Sequence, residues 1–192
     1  MCWKTLGLCL GLALLTGCAS HAPVKSVETL DETTGLTRAA LVQPMAFVET
    51  GISDLLAPDK QPSVVYMGPV EWDRSGDYSY LLWVQLAPGV DGHRIDDLHT
   101  RGAVVLKLDD GAVVLSPLDA AVRADNPYPL IAPVGQTAYF AIDVALLKRM
   151  AASRRLVLNV QAGDLTMVDF VPRQETRAVL RQFMIARQIA DD

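Results

Sequence analysis

Residues 78–87 (YSYLLWVQLA) constrain the fold of this chain more than any other segment. In a β-strand, successive side chains point to opposite faces of the sheet. One face would carry Tyr78, Tyr80, Leu82, Val84 and Leu86, and the other Ser79, Leu81, Trp83, Gln85 and Ala87. Both faces are largely apolar, so we expect a central strand that is covered on both sides.

Two further pairs of apolar segments are separated by turn residues and predict β-hairpins. Residues 104–108 and 112–118 flank Asp109-Asp110-Gly111, and an Asp-Gly pair readily supplies the positive φ of a tight turn. Residues 156–161 and 165–171 alternate in the same way around a turn at 162–164. These hairpins predict a mostly antiparallel sheet.

The segments before the central strand are also expected to be extended. Residues 39–48 contain Pro44, which cannot donate to a central ladder, so we expect an edge strand or an extended segment; a helix here remains open. Residues 64–67 predict a strand that ends in a turn at Gly68-Pro69.

Two helices are expected in the C-terminal part. After a strand at 137–142, Asp143 is a candidate N-cap of a short helix. A last helix could begin at Pro172. Within residues 173–190, apolar residues recur at helical spacing and form a stripe that should dock on the sheet. The stripe consists of Val179, Leu180, Phe183, Ala186 and Ile189.

Together these elements predict a mainly β or α+β fold in residues 38–192. Long crossover helices between the strands are missing, which favours an antiparallel β-sandwich-like domain over an α/β layout. The sequence therefore predicts one β-rich globular domain with a short helix and a C-terminal amphipathic helix.

The N-terminal residues have the layout of a signal peptide. One cation, Lys4, precedes an uncharged stretch from 5 to 16, and small residues follow at Gly17-Cys18-Ala19. The apolar run is shorter than the roughly 20 residues needed to span a bilayer. We therefore interpret it as an export signal.

The residues Leu15-Thr16-Gly17-Cys18 resemble the lipobox of bacterial lipoproteins. The resemblance implies cleavage before Cys18, removal of residues 1–17 and lipidation of Cys18, which would hold the domain at a membrane. Ala19 stands where Asp would favour the inner membrane, which implies the periplasmic face of the outer membrane. Residues 65–71 (VYMGPVE), followed by Gly76, are similar to a pattern in uncharacterised proteobacterial lipoproteins, and this similarity implies no activity.

Processing at Cys18 would also define the chemistry of the mature chain. Cys2 and Cys9 would leave with the signal, so we expect no disulfide and no free thiol. Residues 18–37 would form the lipidated Cys and a flexible, polar tether. Loss of Lys4 would change the formal net charge from -5 to -6, and no basic patch indicates nucleic-acid binding.

Candidate functional residues are few. His93 and His99 lie in an acidic loop that matches no established metal site, so we expect a solvated connection, no metal and no cofactor. Ser75 is better explained by a turn than by a nucleophile elbow. Trp72, Tyr78 and Tyr80, with Trp83, could form an aromatic ligand-binding wall, although aromatic residues in a strong strand are more often core.

These features favour a non-enzymatic envelope lipoprotein that works as an interaction or assembly module with an envelope protein partner. The alternative is a binding protein for a small molecule or an envelope polymer, using the region of Trp72 and Tyr80. An enzyme is the third possibility, with its best candidates at His93 and His99.

Overall fold

A computed structural model describes residues 25–32, 34–50, 63–87, 104–118, 127–128, 136–162 and 166–189, and the structural statements below concern these residues. They form ten strands and two helices. In chain order these are β1 (Ser26–Asp31), β2 (Leu36–Leu41), β3 (Met45–Glu49), β4 (Val64–Arg74), β5 (Asp77–Leu86), β6 (Val104–Leu108), β7 (Gly111–Leu115), β8 (Gln136–Ile142), α1 (Val144–Ala152), β9 (Val157–Ala162), β10 (Thr166–Pro172) and α2 (Thr176–Ala186).

The strands belong to one antiparallel sheet that closes on itself. From β4 the sheet continues through β5 to β8 on one side, and through β3, β10, β9 and β6 to β7 on the other. After β7, Pro117 forms a bridge to Phe140 of β8, and the Leu118 N–H donates to the Tyr139 carbonyl at 2.7 Å. The predicted mainly β or α+β class is confirmed, with one curled sheet in place of two separate sheets.

The predicted central strand is confirmed as β5. It lies between β4 and β8, and all six residues from Leu81 to Leu86 are buried. Trp83 has no exposed surface. Because both faces of β5 are apolar, each one contributes to the packing of the domain.

The turn predicted at Gly68-Pro69 is wrong, because β4 runs straight through both residues. On one side of β4, pairing with β3 ends at Met67 and pairing with β2 begins at Val70. Pro69, which has no N–H to donate, therefore lies at the gap between these two neighbouring strands.

Residues 36–49 form β2 and β3, so the helix alternative for this region is wrong. Neither strand is an edge: β2 lies between β1 and β4, and β3 lies between β4 and β10. Pro44 occupies the connection between them and removes no donor from either ladder.

The expected tether also needs correction, because residues 26–31 within it form β1. This strand pairs with β2 along its length, from Ser26 opposite Leu41 to Asp31 opposite Leu36. Its residues are mostly exposed, so its sequence lacks the apolar alternation that marks a half-buried strand. Backbone pairing with β2 stabilises β1 instead.

The pairs β4–β5, β6–β7 and β9–β10 also form hairpins. Between β4 and β5, Ser75 and Gly76 adopt φ values of 55° and 93°, and Asp73 accepts a hydrogen bond from the Gly76 N–H at 2.6 Å. Ser75 therefore lies in a tight turn, as predicted. The hairpins β6–β7 and β9–β10 also form where the sequence placed them.

Both helices are present, and the second begins later than predicted. Asp143 caps α1 by accepting from the Leu146 N–H at 2.6 Å, as expected. Residue 172 still belongs to β10, and the Arg173 N–H donates to the Ala46 carbonyl at 2.9 Å, so α2 starts only at Thr176.

The apolar stripe of α2 is confirmed at its centre. Leu180 and Phe183 are fully buried, Met184 joins them, and Ala186 is exposed, contrary to expectation. These buried side chains belong to the same hydrophobic core as those of α1 and of the sheet. No helix among the described residues is long and apolar enough to cross a membrane.

Candidate functional site: a polar cavity beside the end of helix α2

A cavity of about 460 Å³ opens where β1, β4 and β5 meet the C-terminal end of α2. Charged groups, phenols and an amide dominate its described lining. The lining residues are Glu28, Glu71, Tyr78, Tyr80, Ala186, Arg187 and Gln188. Its size lies within the range typical of pockets for small ligands.

The register of β4 and β5 places the side chains at the floor of the cavity next to one another. Glu71 of β4 lies directly opposite Tyr80 of β5, and Tyr78 lies two residues before Tyr80 on the same face. Glu28 comes from the edge strand β1, and Arg187 comes from the end of α2. The site is therefore assembled from residues far apart in sequence.

Arg187 joins these elements through an ion-pair network. Its Nε and Nη2 donate to Glu71 Oε1 at 2.8 and 2.6 Å, and its Nη1 donates to Glu28 Oε1. The Glu71 side chain is 2% exposed, whereas that of Glu28 is 56% exposed. Hydrogen bonding to Glu71 raises the pKa of Arg187 despite the opposing effect of burial. The buried carboxylate thus has the charge partner that burial requires.

Tyr80 lies against the same carboxylate. Burial and, secondly, the negative charge of Glu71 raise the pKa of Tyr80 from 10.0 to about 12. Both effects disfavour the phenolate. The hydroxyl therefore keeps its proton even in moderately alkaline solution and can donate to Glu71.

Gln188 closes the end of α2 in an unfavourable backbone conformation. Its N–H donates to the Ile185 carbonyl at 3.1 Å, and the Ile189 N–H donates to the Met184 carbonyl at 2.9 Å. This is a Schellman motif, in which Gln188 with φ 54° holds the left-handed position that glycine usually takes. The glutamine that stands there lines the cavity.

The structure separates the aromatic residues that the sequence grouped as a ligand-binding wall. Tyr78 and Tyr80 line the cavity, but Trp72 lies on the opposite face of β4 from Glu71 and packs against Tyr139, with ring centroids 5.7 Å apart. Trp83 is core. A wall built from Trp72 and Tyr80 together is therefore wrong, because alternation sends them to opposite faces.

The other candidates from the sequence lie outside the described residues, namely Cys18, His93 and His99. Sequence reasoning missed Glu28, Glu71, Arg187 and Gln188. For Glu71 a signal existed, since it is a carboxylate in the otherwise apolar run VVYMGPVEW. For Glu28 and Arg187 none existed, because their roles depend on where β1 and α2 pack.

The arrangement is suited to binding. The described lining contains no Ser, Cys, His or Lys, and its guanidinium and its buried carboxylate, Arg187 and Glu71, are already paired with each other. Within the described part of the chain, no three His, Cys, Asp or Glu residues are grouped as metal ligands. What the cavity offers is carboxylate and phenol oxygens, a guanidinium and an exposed aromatic ring.

Comparison with known proteins gives no match to this chain among family models, curated proteins or solved structures.

Proposed function

We propose that this chain is a lipid-anchored lipoprotein of the bacterial cell envelope, and that its folded domain is a non-enzymatic interaction or assembly module. The observation that carries the proposal is Leu15-Thr16-Gly17-Cys18 at the end of a signal-like apolar run. Ala19 directly after the Cys favours the outer membrane, with the domain facing the periplasm.

On this proposal the domain stays close to the membrane. β1 begins at Ser26, only eight residues after Cys18, and that length of chain spans at most about 29 Å. Confinement near a surface raises the effective concentration of the domain for other envelope components. Weak contacts with a partner are then sufficient for assembly.

Substitution of the lipidated residue tests the anchor. Cys18→Ser should abolish incorporation of labelled palmitate and leave unprocessed precursor, because the thiol that accepts the lipid is gone. The matched control is Cys9→Ser, which removes a thiol from the apolar run and should leave labelling and processing intact. Mature, membrane-bound protein from the Cys18→Ser variant would contradict the proposal.

Crosslinking in cells tests the assembly role. A photoreactive residue at Leu30, which is 62% exposed on β1, should give a discrete crosslinked species in cells with the lipidated protein. The yield should fall strongly when residues 1–18 are replaced by a cleavable signal peptide without a lipobox, since the exported domain is then no longer held at the membrane. An equal yield without the anchor would show that confinement plays no part.

A second candidate function is ligand binding, and the polar cavity beside α2 favours it. Its volume is in the range of small-ligand sites, in which convergent polar groups fix the orientation of the ligand, and polar groups dominate its described lining. Binding of such a ligand to the folded state alone would stabilise the domain by an amount that grows with the logarithm of the ratio of ligand concentration to Kd, and would raise the melting temperature accordingly.

A further inference from the structure

The described lining of the cavity beside α2 has one more negative than positive charge. It holds two carboxylates, Glu28 and Glu71, and one guanidinium, Arg187. All three nitrogen atoms of that guanidinium already donate to the carboxylates. An anionic ligand would therefore meet two carboxylates and a cation that is already engaged.

The Glu28 carboxylate can accept further hydrogen bonds from a ligand. A carboxylate can accept about four hydrogen bonds, and Arg187 supplies one of them to Glu28 Oε1. The Glu28 side chain is 56% exposed, so a ligand can reach its oxygens without breaking the buried pair between Glu71 and Arg187.

The aromatic ring of Tyr78 adds a second element of recognition. Tyr78 lines the cavity and is 54% exposed. The face of an aromatic ring attracts a cation that lies within about 6 Å of it. Ala186 is the single aliphatic side chain of the described lining, so an apolar ligand has little to contact.

We propose that this cavity binds a small ligand through a primary ammonium group, which Glu28 pairs with and Tyr78 covers. The proposal rests on the second candidate function, ligand binding, and adds the class of ligand. It is independent of the lipid anchor, so its failure would leave the Cys18 experiment unaffected.

The test uses the full-length protein in detergent micelles and three probes of similar size: n-butylammonium chloride, n-butanol and sodium butyrate, at equal ionic strength. The readout is the NMR resonance of the Arg187 Nε–H group, which lies in the cavity. We expect a saturable shift with n-butylammonium alone. Equal responses to n-butanol or butyrate would overturn the proposal.

Two substitutions locate the site. Glu28→Gln should weaken n-butylammonium binding about tenfold or more, because a charged hydrogen-bond partner is lost. The matched control is Glu32→Gln, which removes the same charge from the exposed turn after β1 and should leave the affinity unchanged. Equal losses in both variants would show that only the general negative charge of the domain matters.

Tyr78→Ala provides a second variant that does not depend on the ion pair. Its side chain is largely exposed, so the domain should keep its fold, and affinity should fall because the aromatic face is gone. Unchanged binding in Tyr78→Ala and Glu28→Gln together would place the ammonium group elsewhere and refute the assignment.

Discussion

Glu71 and Trp72 are adjacent in the chain and have opposite surroundings. Glu71 is buried against Arg187 and lines the cavity, whereas Trp72 packs on Tyr139 at the other face of β4. The pleat of a strand explains the difference, because neighbouring side chains point to opposite sides. At the scale of single residues, the surroundings of a side chain depend on the face of the sheet on which it lies, and not on its neighbours in the sequence.

Gly68 shows how a single residue can depend on one distant side chain. A Cβ atom at this position would lie 2.2 Å from the hydroxyl oxygen of Tyr128. Tyr128 is buried, donates to the Pro69 carbonyl at 2.7 Å and packs on Trp83 with ring centroids 4.9 Å apart. The phenol therefore covers the space that a side chain at Gly68 would need.

We expect Gly68→Ala to destabilise the domain by roughly 1–3 kcal/mol, because the Tyr128 ring must be displaced from a packed site. Denaturant unfolding measures the change. A double-mutant cycle with Tyr128→Leu is the control: with the phenol removed, the same substitution should cost much less. A cost that is independent of residue 128 would contradict this explanation.

Phe183 of α2 tests whether the apolar stripe is core or a docking surface. Phe183→Ala should lower the free energy of unfolding by about 3–5 kcal/mol, since it removes a ring that is fully buried. Ile185→Ala on the same helix is the control, because Ile185 is 73% exposed and should change stability little. Equal stability of the two variants would indicate that the stripe does not pack in the core.

At the scale of elements, the turn of hairpin β6–β7 is joined to the connection between α1 and β9. The Asp109 carboxylate accepts from the backbone N–H groups of Arg154 and Arg155 at 2.7 and 3.0 Å. The Asp109 N–H in turn donates to Ser153 Oγ at 3.0 Å. The neighbouring Asp110 forms an ion pair with Arg149 at the surface.

These two aspartates should differ in their effect on stability. Asp109→Ala should cost about 1 kcal/mol, because two backbone N–H groups lose their acceptor. Asp110→Ala should cost much less, since an exposed ion pair is weakened by solvent and salt. Unfolding of both variants at low and high salt checks this, and a larger loss for Asp110→Ala would contradict it.

At the scale of the whole molecule, Lys107 and Asp169 link β6 to β10 across β9. The Lys107 Nζ lies 2.6 Å from Asp169 Oδ1, and the Asn159 amide donates to the same oxygen at 2.5 Å. The hydrogen bond from Lys107 lowers the pKa of Asp169 in spite of partial burial, and Asn159 adds to the effect.

This lowered pKa predicts a loss of stability in acid. A carboxyl group whose pKa is lower in the folded state than its unfolded value of about 3.9 stabilises the fold above that value. The contribution should disappear as the pH falls through the folded pKa. Unfolding measured from pH 7 to pH 2 should therefore show a shallower acid slope in Asp169→Asn, and also in Lys107→Met, which removes the cause. An unchanged slope in both variants would contradict the assignment.

Much of the β-structure was accessible from sequence, because it depends on short-range patterns. The turn at Asp109-Asp110, the N-cap at Asp143 and the two apolar faces of β5 are local properties, and each has its predicted place. β1 escaped prediction because its residues stay largely exposed. Pairing with β2 holds it in place, and pairing depends on a neighbour that local pattern does not reveal.

The candidate site was much less accessible. Tyr78 and Tyr80 were chosen from the sequence, but Glu28, Glu71 and Arg187 become neighbours only when the edge strand, the centre of the sheet and the end of α2 pack together. By itself, the sequence determined the fold class, the central strand and the expectation of an anchor at Cys18. Tertiary structure alone decided which charges meet in the cavity, because contacts between residues more than 100 positions apart depend on how whole elements pack and not on local pattern.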